Sequence, residues 1–140
     1  MALGEYRHTL DPKNRLFLPA KYREEFGSDL VVSRSLRDKC LRVYPKTGWD
    51  QYIKPISDFD GKDKDPIVRA LGRTAAEVSP DSQGRILLTP YLIKYAGLEK
   101  NAVIVGCGEY CEIWSEENFQ TMLEEEDFDA MLKVFESYGM

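Results

Sequence analysis

The sequence lacks the features that mark several classes of protein. Its 140 residues hold no apolar run that approaches the ~20 residues needed to span a bilayer. The stretch Met1–Arg7 also lacks the apolar segment of a signal peptide. The three cysteines are few and odd in number, which suits reduced thiols better than a disulfide framework. We therefore expect a soluble cytoplasmic protein without a membrane partner.

Residues that could form a catalytic or metal site are also scarce. His8 is the only histidine, and its place in an alternating strand favours a structural or surface role. Cys107 and Cys111 lie four positions apart, but zinc would need two more ligands and only Cys40 and His8 remain. The stretch at 103–108, with Gly106 and Gly108, begins like a dinucleotide-binding turn, but Cys111 stands where the third glycine would be, so a hairpin turn is the better interpretation. We expect no enzyme activity, cofactor, metal or small-molecule substrate.

Positive charge is in the minority, but it is unevenly distributed. The chain has 19 Lys and Arg against 24 Asp and Glu, a net charge of -5, which taken whole argues against a nucleic-acid partner. Residues 1–56 hold 11 cations against 7 anions (+4), whereas residues 57–140 hold 8 against 17 (-9). The acidic run Glu124–Asp127 is interpreted as a solvated helix face or loop, with an interaction surface that repels DNA as the alternative. Hydrophobic residues make up 43%, enough for one globular core.

The most informative feature is an internal repeat. The segment Asp11-Pro-Lys-Asn-Arg15-Leu-Phe-Leu returns 70 positions later as Asp81-Ser-Gln-Gly-Arg85-Ile-Leu-Leu. The same offset relates Gly27 to Gly97, and further matches follow in the same order. An ordered series of matches over some forty residues indicates a duplication within the chain.

Each copy predicts the same elements: a strand, a turn, a returning strand, a short helix and two more strands. Asn14 and Gly84 precede the arginine of each turn, and these residue types tolerate the left-handed conformation that such turns need. Pro19 and Pro90 suit the first turn of the helix. Because a unit of about forty residues can hardly close its own core, we expect the two copies to form one domain.

The rest of the chain predicts helices. Between the copies, we expect a helical stretch around Trp49, a polar loop over Ser57–Asp65 and a helix that starts at Pro66. After Ser115 the apolar residues recur at helical spacing. The boundaries that we predict are 5–47 for the first repeat, 48–75 for the helical linker, 76–119 for the second repeat and 120–140 for a C-terminal helical tail.

The Asp-x-x-x-Arg turn supports two interpretations. The aspartate and arginine can brace the hairpin by bonding to each other and to turn amides. Alternatively, the turn belongs to a two-stranded ribbon that enters a DNA major groove, where arginine pairs with guanine and lysine with phosphate. The first copy concentrates cations, with Asp11 as the only acid between them, whereas the second copy has few, which favours a structural arginine there. The cations of the first copy are Arg7, Lys13, Arg15, Lys21 and Arg23.

The repeated motif resembles a known family. The segment from Gly4 to Leu16, the segment Asp81–Leu88 and the sequence Glu112-Ile-Trp114 are together similar to the MraZ family of bacterial transcriptional regulators, from Gly4 to about Phe119. Two positions differ from the family pattern. Asn14 stands where glycine is usual, which the turn should tolerate, and Thr89 stands where proline is usual, which should at most soften the helix start.

The resemblance implies a fold and a function. The fold would be mainly β with short helices (α+β), in which duplicated AbrB-like swapped-hairpin units form one pseudo-two-fold, barrel-like domain followed by C-terminal helices. The function would be sequence-specific DNA binding at the promoter of the division and cell-wall gene cluster, where a nucleoid-associated, ring-like homo-oligomer binds short direct repeats of double-stranded DNA. The alternatives are an oligomeric interaction scaffold and an AbrB-like antitoxin.

We assign roles to the residues of the two turns on this basis. Arg15 is expected to lead the DNA contact, with the other first-copy cations beside it and Arg85 as a further DNA-binding or structural residue. Asp11, Asp81, Asn14 and Gly84 are expected to orient the arginines or hold the turns. The sequence leaves open the operator, the ring size and the choice between repression and activation.

Overall fold

Eight short strands form two antiparallel sheets in the computed structural model, which describes all 140 residues. The larger sheet has six strands in the order β1-β7-β8-β4-β3-β5, and β2 pairs with β6 as a separate two-stranded ribbon. The strands are β1 (Glu5–Thr9), β2 (Arg15–Phe17), β3 (Leu30–Arg34), β4 (Leu41–Pro45), β5 (Ala76–Val78), β6 (Arg85–Leu87), β7 (Asn101–Gly106) and β8 (Cys111–Ser115).

Helices connect and follow the strands. None of them is long and apolar enough to cross a membrane. They are α1 (Ala20–Phe26), α2 (Lys46–Ile53), a 3₁₀ helix (Lys54–Asp58), α3 (Gly61–Thr74), α4 (Pro90–Ala96), α5 (Glu116–Glu125) and α6 (Phe128–Ser137). The α+β class with an antiparallel sheet is therefore confirmed, but helices hold more residues than strands, so the expectation of a mainly β fold is wrong.

The strand order of the large sheet is symmetric between the two copies. The counterparts, about 70 residues apart, are β1 and β5, β3 and β7, and β4 and β8, and each pair lies at equal distances from the centre of the sheet. The first strand of each copy pairs with the third strand of the other, β1 with β7 and β5 with β3, and β4 pairs with β8 at the centre. The sheet has free edges at β1 and β5 and does not close into a barrel, so the barrel-like, two-fold arrangement stays a prediction.

The larger of two buried apolar clusters includes residues of both the ribbon and the sheet. Leu16 and Ile86, the middle residues of β2 and β6, face each other in the ribbon and are almost fully buried. The helices that follow the ribbon strands bury Tyr22 from α1 and Leu92 from α4 in the same cluster. Both copies thus contribute equivalent side chains to a shared apolar interior, and its burial holds the ribbon in place.

The predicted start of α3 is wrong, whereas α4 starts at Pro90 as predicted and α1 starts at Ala20, one residue after the predicted Pro19. The helix between the copies begins at Gly61, so the expected polar loop is too long and Pro66 lies inside α3 rather than at its start. Asp63 in the first turn favours the earlier start because a carboxylate there complements the helix dipole. Thr89 does not soften the start of α4, because its Oγ1 accepts a hydrogen bond of 3.3 Å from Leu92 N and caps the helix.

Candidate nucleic-acid interface

The β2–β6 ribbon presents two faces of different character. Because side chains alternate along a strand, Leu16 and Ile86 face the core while their neighbours face solvent. Arg15 lies opposite Leu87, and Phe17 lies opposite Arg85. The outer face therefore carries two arginines and two apolar side chains in cross-strand pairs.

The turn before β2 is organised around the carboxylate of Asp11. Asp11 Oδ1 accepts hydrogen bonds from Lys13 N at 2.9 Å and Arg15 N at 2.8 Å, and Oδ2 accepts one from Arg15 Nε at 2.8 Å. Asn14, with φ at 63°, is the only residue other than glycine in the left-handed region. The aspartate thus holds both the main chain of the turn and the arginine side chain.

The turn before β6 repeats this geometry. Asp81 Oδ1 accepts from Gln83 N and Arg85 N, each at 2.9 Å, and Oδ2 accepts from Arg85 Nε at 3.0 Å. Gly84, with φ at 82°, takes the place of the asparagine. The sequence match between the two turns is therefore also a match in hydrogen bonding.

Each turn is tied to the other copy by the main chain. Leu18 N donates to Gly84 O at 3.0 Å, and Leu88 N donates to Asn14 O at 2.9 Å. Arg85 Nη1 also lies 3.6 Å from Asp11 Oδ2, so one arginine connects both carboxylates. The two turns form one cluster on the surface.

The two arginines differ in how much of the guanidinium remains available. Arg15 uses only Nε within the protein, and its side chain is 32% exposed. Arg85 uses Nε and places Nη1 near Asp11, and its side chain is 19% exposed. Arg15 therefore keeps both Nη groups free for a ligand, whereas Arg85 is more deeply engaged in joining the turns.

The hydrogen bonds also set the ionisation of the two aspartates. Loss of hydration tends to raise the pKa of Asp11, but hydrogen bonds from Arg15 and Lys13 outweigh it and lower the pKa below its usual 3.8. The main-chain hydrogen bond from Arg85 is the largest influence on the pKa of Asp81 and lowers it likewise, against a smaller opposing effect of burial. Both carboxylates are ionised at neutral pH, so each cancels much of its own arginine's charge.

The remaining predicted cations lie at different distances from this cluster. Lys13 is exposed within the first turn, and Lys21 is exposed on α1. Arg23 donates from Nε to Leu18 O at 3.0 Å and packs on Gly84, where an added Cβ would lie 2.6 Å from its Cζ. Arg23 therefore supports the second turn from the side of the first copy.

The structure does not bring Arg7 to the same face. Arg7 lies on β1, 3.5 Å from Glu5 and over the ring of Phe119, with 5.7 Å between its Cζ and the ring centroid. His8, the next residue, points the other way and contacts Phe17 of the ribbon, with 5.8 Å between the ring centroids. The proposed role of Arg7 in DNA contact stays a prediction.

Sequence reasoning missed the apolar half of the ribbon face. Phe17 is 41% exposed and Leu87 is 59% exposed, although both lie in strands that bury their neighbours. The signal was present, because residues two apart in a strand share a face and Phe17 follows Arg15 by two positions. The same spacing relates Leu87 to Arg85.

The cysteines do not gather into a cluster of ligands. Cys40 and Cys111 are buried, and burial raises the pKa of the Cys107 thiol to about 11. No three His, Cys, Asp or Glu side chains lie close enough together to hold a metal ion. The segment at 103–108 ends β7 and leads into β8 as a hairpin, as predicted.

Comparison with known proteins identifies the family. The sequence profile of a family described as "MraZ protein, putative antitoxin-like" matches two stretches, residues 1–69 and 71–134. The chain belongs to the MraZ family. The resemblance drawn from the two turns and the Glu-Ile-Trp sequence is confirmed.

Individual MraZ proteins match most of the chain. A protein of Carboxydothermus hydrogenoformans named "Transcriptional regulator MraZ" is 45% identical over 120 residues, 84% of this chain and 82% of its own length. One of Thermomicrobium roseum with the same name is 42% identical over 89% of this chain and 88% of its own. A third, from Clostridium beijerinckii, is 38% identical over the whole of both chains.

Proposed function

We propose that this chain is a DNA-binding transcriptional regulator that contacts double-stranded DNA through the β2–β6 ribbon and its two turns. The names of its MraZ relatives support regulation of transcription, and the ribbon supports the mode of contact. The observation that carries the proposal is the free guanidinium end of Arg15, which Asp11 holds by Nε in a turn with two further hydrogen bonds to the same carboxylate. A preorganised arginine loses little entropy on binding.

The chemistry of the ribbon suits a major groove. A two-stranded ribbon fits this groove, and an arginine fork can donate two hydrogen bonds to O6 and N7 of guanine. The free Nη groups of Arg15 can supply such a fork. Phe17 and Leu87, on the same face, can contact the methyl group of thymine.

The other cations act around this contact. Lys13 and Lys21 are exposed and free of ion pairs, as phosphate contacts require. Arg23 and Arg85 act mainly by holding the turns. Arg7, which lies on β1 away from the ribbon face, would contact only DNA that extends past the ribbon. The turns are shaped by four residues that do not touch the DNA. Asp11 and Asp81 hold the turns by hydrogen bonds, and their carboxylates would repel phosphate. Asn14 and Gly84 supply the left-handed backbone conformation.

We infer that the interface is built from two copies of one swapped-hairpin unit, 5–47 and 76–119, joined by the linker 48–75 and followed by the tail 120–140. The two profile matches, the exchange of first strands and the paired turns support this division. A pseudo-two-fold axis would pass between β4 and β8 and through the ribbon. In that arrangement, the first copy presents Arg15 for DNA contact, whereas Arg85 of the second copy joins the two turns.

A single protomer offers few cations to DNA, so several protomers are needed. We propose a ring-like homo-oligomer in the cytoplasm, associated with the nucleoid, that binds short direct repeats at the promoter of the division and cell-wall gene cluster. Simultaneous contacts to neighbouring repeats raise the affinity through effective concentration. The acidic C-terminal tail, 120–140, then faces away from DNA.

The test is a titration of promoter DNA at several salt concentrations with wild type, Arg15→Ala, Arg15→Lys and Lys13→Ala. Arg15→Ala should weaken binding at the preferred sequence by about 1–3 kcal/mol. Arg15→Lys should keep the salt dependence but reduce discrimination between sequences, because lysine has no fork. Lys13→Ala should reduce the slope of log affinity against log salt by about one for each phosphate that is no longer neutralised.

Lys54→Ala, a change of one exposed cation outside both turns, serves as the control and should leave binding unchanged. Unaltered affinity and salt slope for Arg15→Ala would contradict the proposed contact. A protein whose elution from a sizing column ignores repeat-bearing DNA would instead support the scaffold alternative.

A further inference from the structure

The C-terminal helix α6 carries a large apolar surface that nothing in its own chain covers. All residues of α6 are exposed, including Phe128 at 72% and Leu132 at 55%. Phe128, Met131, Leu132 and Phe135 follow the i, i+3, i+4, i+7 spacing that places side chains on one helix face. Contiguous exposed apolar surface of this kind marks an interaction site.

A second apolar surface lies between α2, the 3₁₀ helix and α3. This α2–α3 groove has a volume of about 290 Å³ and is lined by Trp49, Ile53, Ile56, Val68 and Leu71. Lys64, which is half-buried, also lines the groove. The groove is smaller than most small-molecule sites, which favours a few anchoring side chains over a bound metabolite.

The charges around the two surfaces are opposite in sign. The segment Glu124–Met140 holds six acids and one lysine, a balance of -5, whereas α3 holds four cations and two acids, a balance of +2. None of these charged groups forms an ion pair within the chain. Both surfaces therefore offer unpaired charge as well as apolar area.

We propose that α6 of one protomer docks its apolar face into the α2–α3 groove of a second copy of this chain. The opposite charges favour this pairing. Contact between two α6 helices would instead bring two segments of charge -5 together, and like charges repel. The apolar residues of α6, including Leu132 and Phe135, then act as the anchors of a helix-in-groove interaction.

This contact joins two different surfaces, so it deepens and rests on the oligomer proposed above. A heterologous contact leaves each protomer with one free helix and one free groove, and repetition closes a ring when the rotation allows it. The junction between α5 and α6 is only Glu126–Asp127, and Asp127 caps α6 through a hydrogen bond to its side chain from Ala130 N at 3.0 Å. A short, capped junction holds α6 as a projecting arm.

Two variants separate the two halves of the contact. The helix variant combines Leu132→Glu with Phe135→Glu, and the groove variant is Val68→Glu, at a position that is already 49% exposed. Each should convert the oligomer to monomer in light scattering coupled to size exclusion, with an unchanged circular dichroism spectrum. Ser137→Glu adds a carboxylate to the opposite side of α6 and should leave the oligomer intact.

Mixing the two variants gives the decisive result. The groove variant keeps a good helix and the helix variant keeps a good groove, so an equal mixture should form a one-to-one dimer and no larger species. If the mixture stays monomeric, α6 does not use the groove and the proposal is wrong. If the groove variant fails to fold, Lys64→Glu replaces it. At low salt, the oligomer of Lys64→Glu should dissociate more readily than that of the wild type.

The outcomes also distinguish this inference from the proposed function. If the helix variant keeps the wild-type mass, the docking proposal fails while the oligomer stands. If the wild type itself is monomeric at every concentration, the proposed oligomer fails as well. Monomeric variants should bind DNA that carries a single repeat as tightly as the wild type does. Unlike the wild type, they should gain no affinity when the DNA carries several repeats.

Discussion

At the scale of single residues, the Asp-x-x-x-Arg spacing meets a local hydrogen-bonding requirement. In both turns the aspartate accepts from the amides two and four positions later and from the arginine Nε. A shorter or longer spacing would break this set of three bonds. The structural interpretation of the motif therefore holds in both copies, and the DNA-binding interpretation stays a proposal that the free Nη groups of Arg15 support.

The same bonds predict how stability depends on pH. Folding lowers the pKa of Asp11 and Asp81 below their usual 3.8, so in acid the unfolded chain binds more protons than the folded chain. The stability that the two carboxylates add is present above the unfolded pKa and is lost as the pH falls through the folded values. We expect Asp11→Asn with Asp81→Asn to lower stability at neutral pH and to flatten its decline in acid.

Urea denaturation at a series of pH values measures this effect. Asp58→Asn, which removes an exposed carboxylate outside both turns, should leave the wild-type decline unchanged. A double variant whose stability falls in acid as steeply as that of the wild type would show that the turn carboxylates do not govern it.

At the scale of the element, the two turns of the ribbon look equivalent but have different neighbours. Asn14 and Gly84 occupy matching positions with positive φ. Only Gly84 lies under the guanidinium of Arg23, where an added Cβ would come within 2.6 Å of Cζ. A side chain at Gly84 must displace Arg23, which would break its bond to Leu18 O.

Exchanging the two residues should therefore give unequal results. We expect Gly84→Asn to lower the free energy of unfolding by about 1–3 kcal/mol, a usual range for a disruptive single substitution. Asn14→Gly, the matched control, should change it by about 1 kcal/mol at most, because glycine accepts the same φ but is more flexible when unfolded. Equal losses of stability in chemical denaturation would mean that Arg23 does not constrain the second turn.

At the scale of the whole molecule, the two copies depend on each other. Four of the six strand pairings join residues of one copy to residues of the other: β1 with β7, β2 with β6, β3 with β5 and β4 with β8. Only the β3–β4 and β7–β8 hairpins pair within a copy. The core likewise draws on both copies, and Leu16 and Ile86 are both almost fully buried in it.

Cutting the chain between the copies tests this dependence. We expect residues 1–75 and 76–140, produced separately, to lack a cooperative unfolding transition, because each is deprived of most of its strand partners. Mixing the fragments should restore the near-ultraviolet circular dichroism of the intact protein. Cooperative unfolding of either fragment alone would show that a copy is an independent domain.

The sequence predicted the strands and turns well where a local cause acts. The order of the elements in each copy, the start of α4 at Pro90 and the left-handed Asn14 all follow from turn chemistry and periodicity. The predicted start of α3 at Pro66 was wrong. Proline is common in the first turn of a helix, but here the helix begins five residues earlier, at Gly61. The exposure of Phe17 was missed because apolar residues in a short strand usually face the core.

By itself, the sequence determined the duplication of the motif, the family and the two Asp-x-x-x-Arg turns, because each depends on residues close together in the chain. Only the tertiary structure decided how Arg85 is engaged across the ribbon, which cations share the face of Arg15, and that the whole of α6 is exposed. Arg15 and Arg85 have the same local partners, and they differ only because Arg85 reaches Asp11 across the ribbon. That contact joins residues 74 positions apart, beyond the reach of any local pattern.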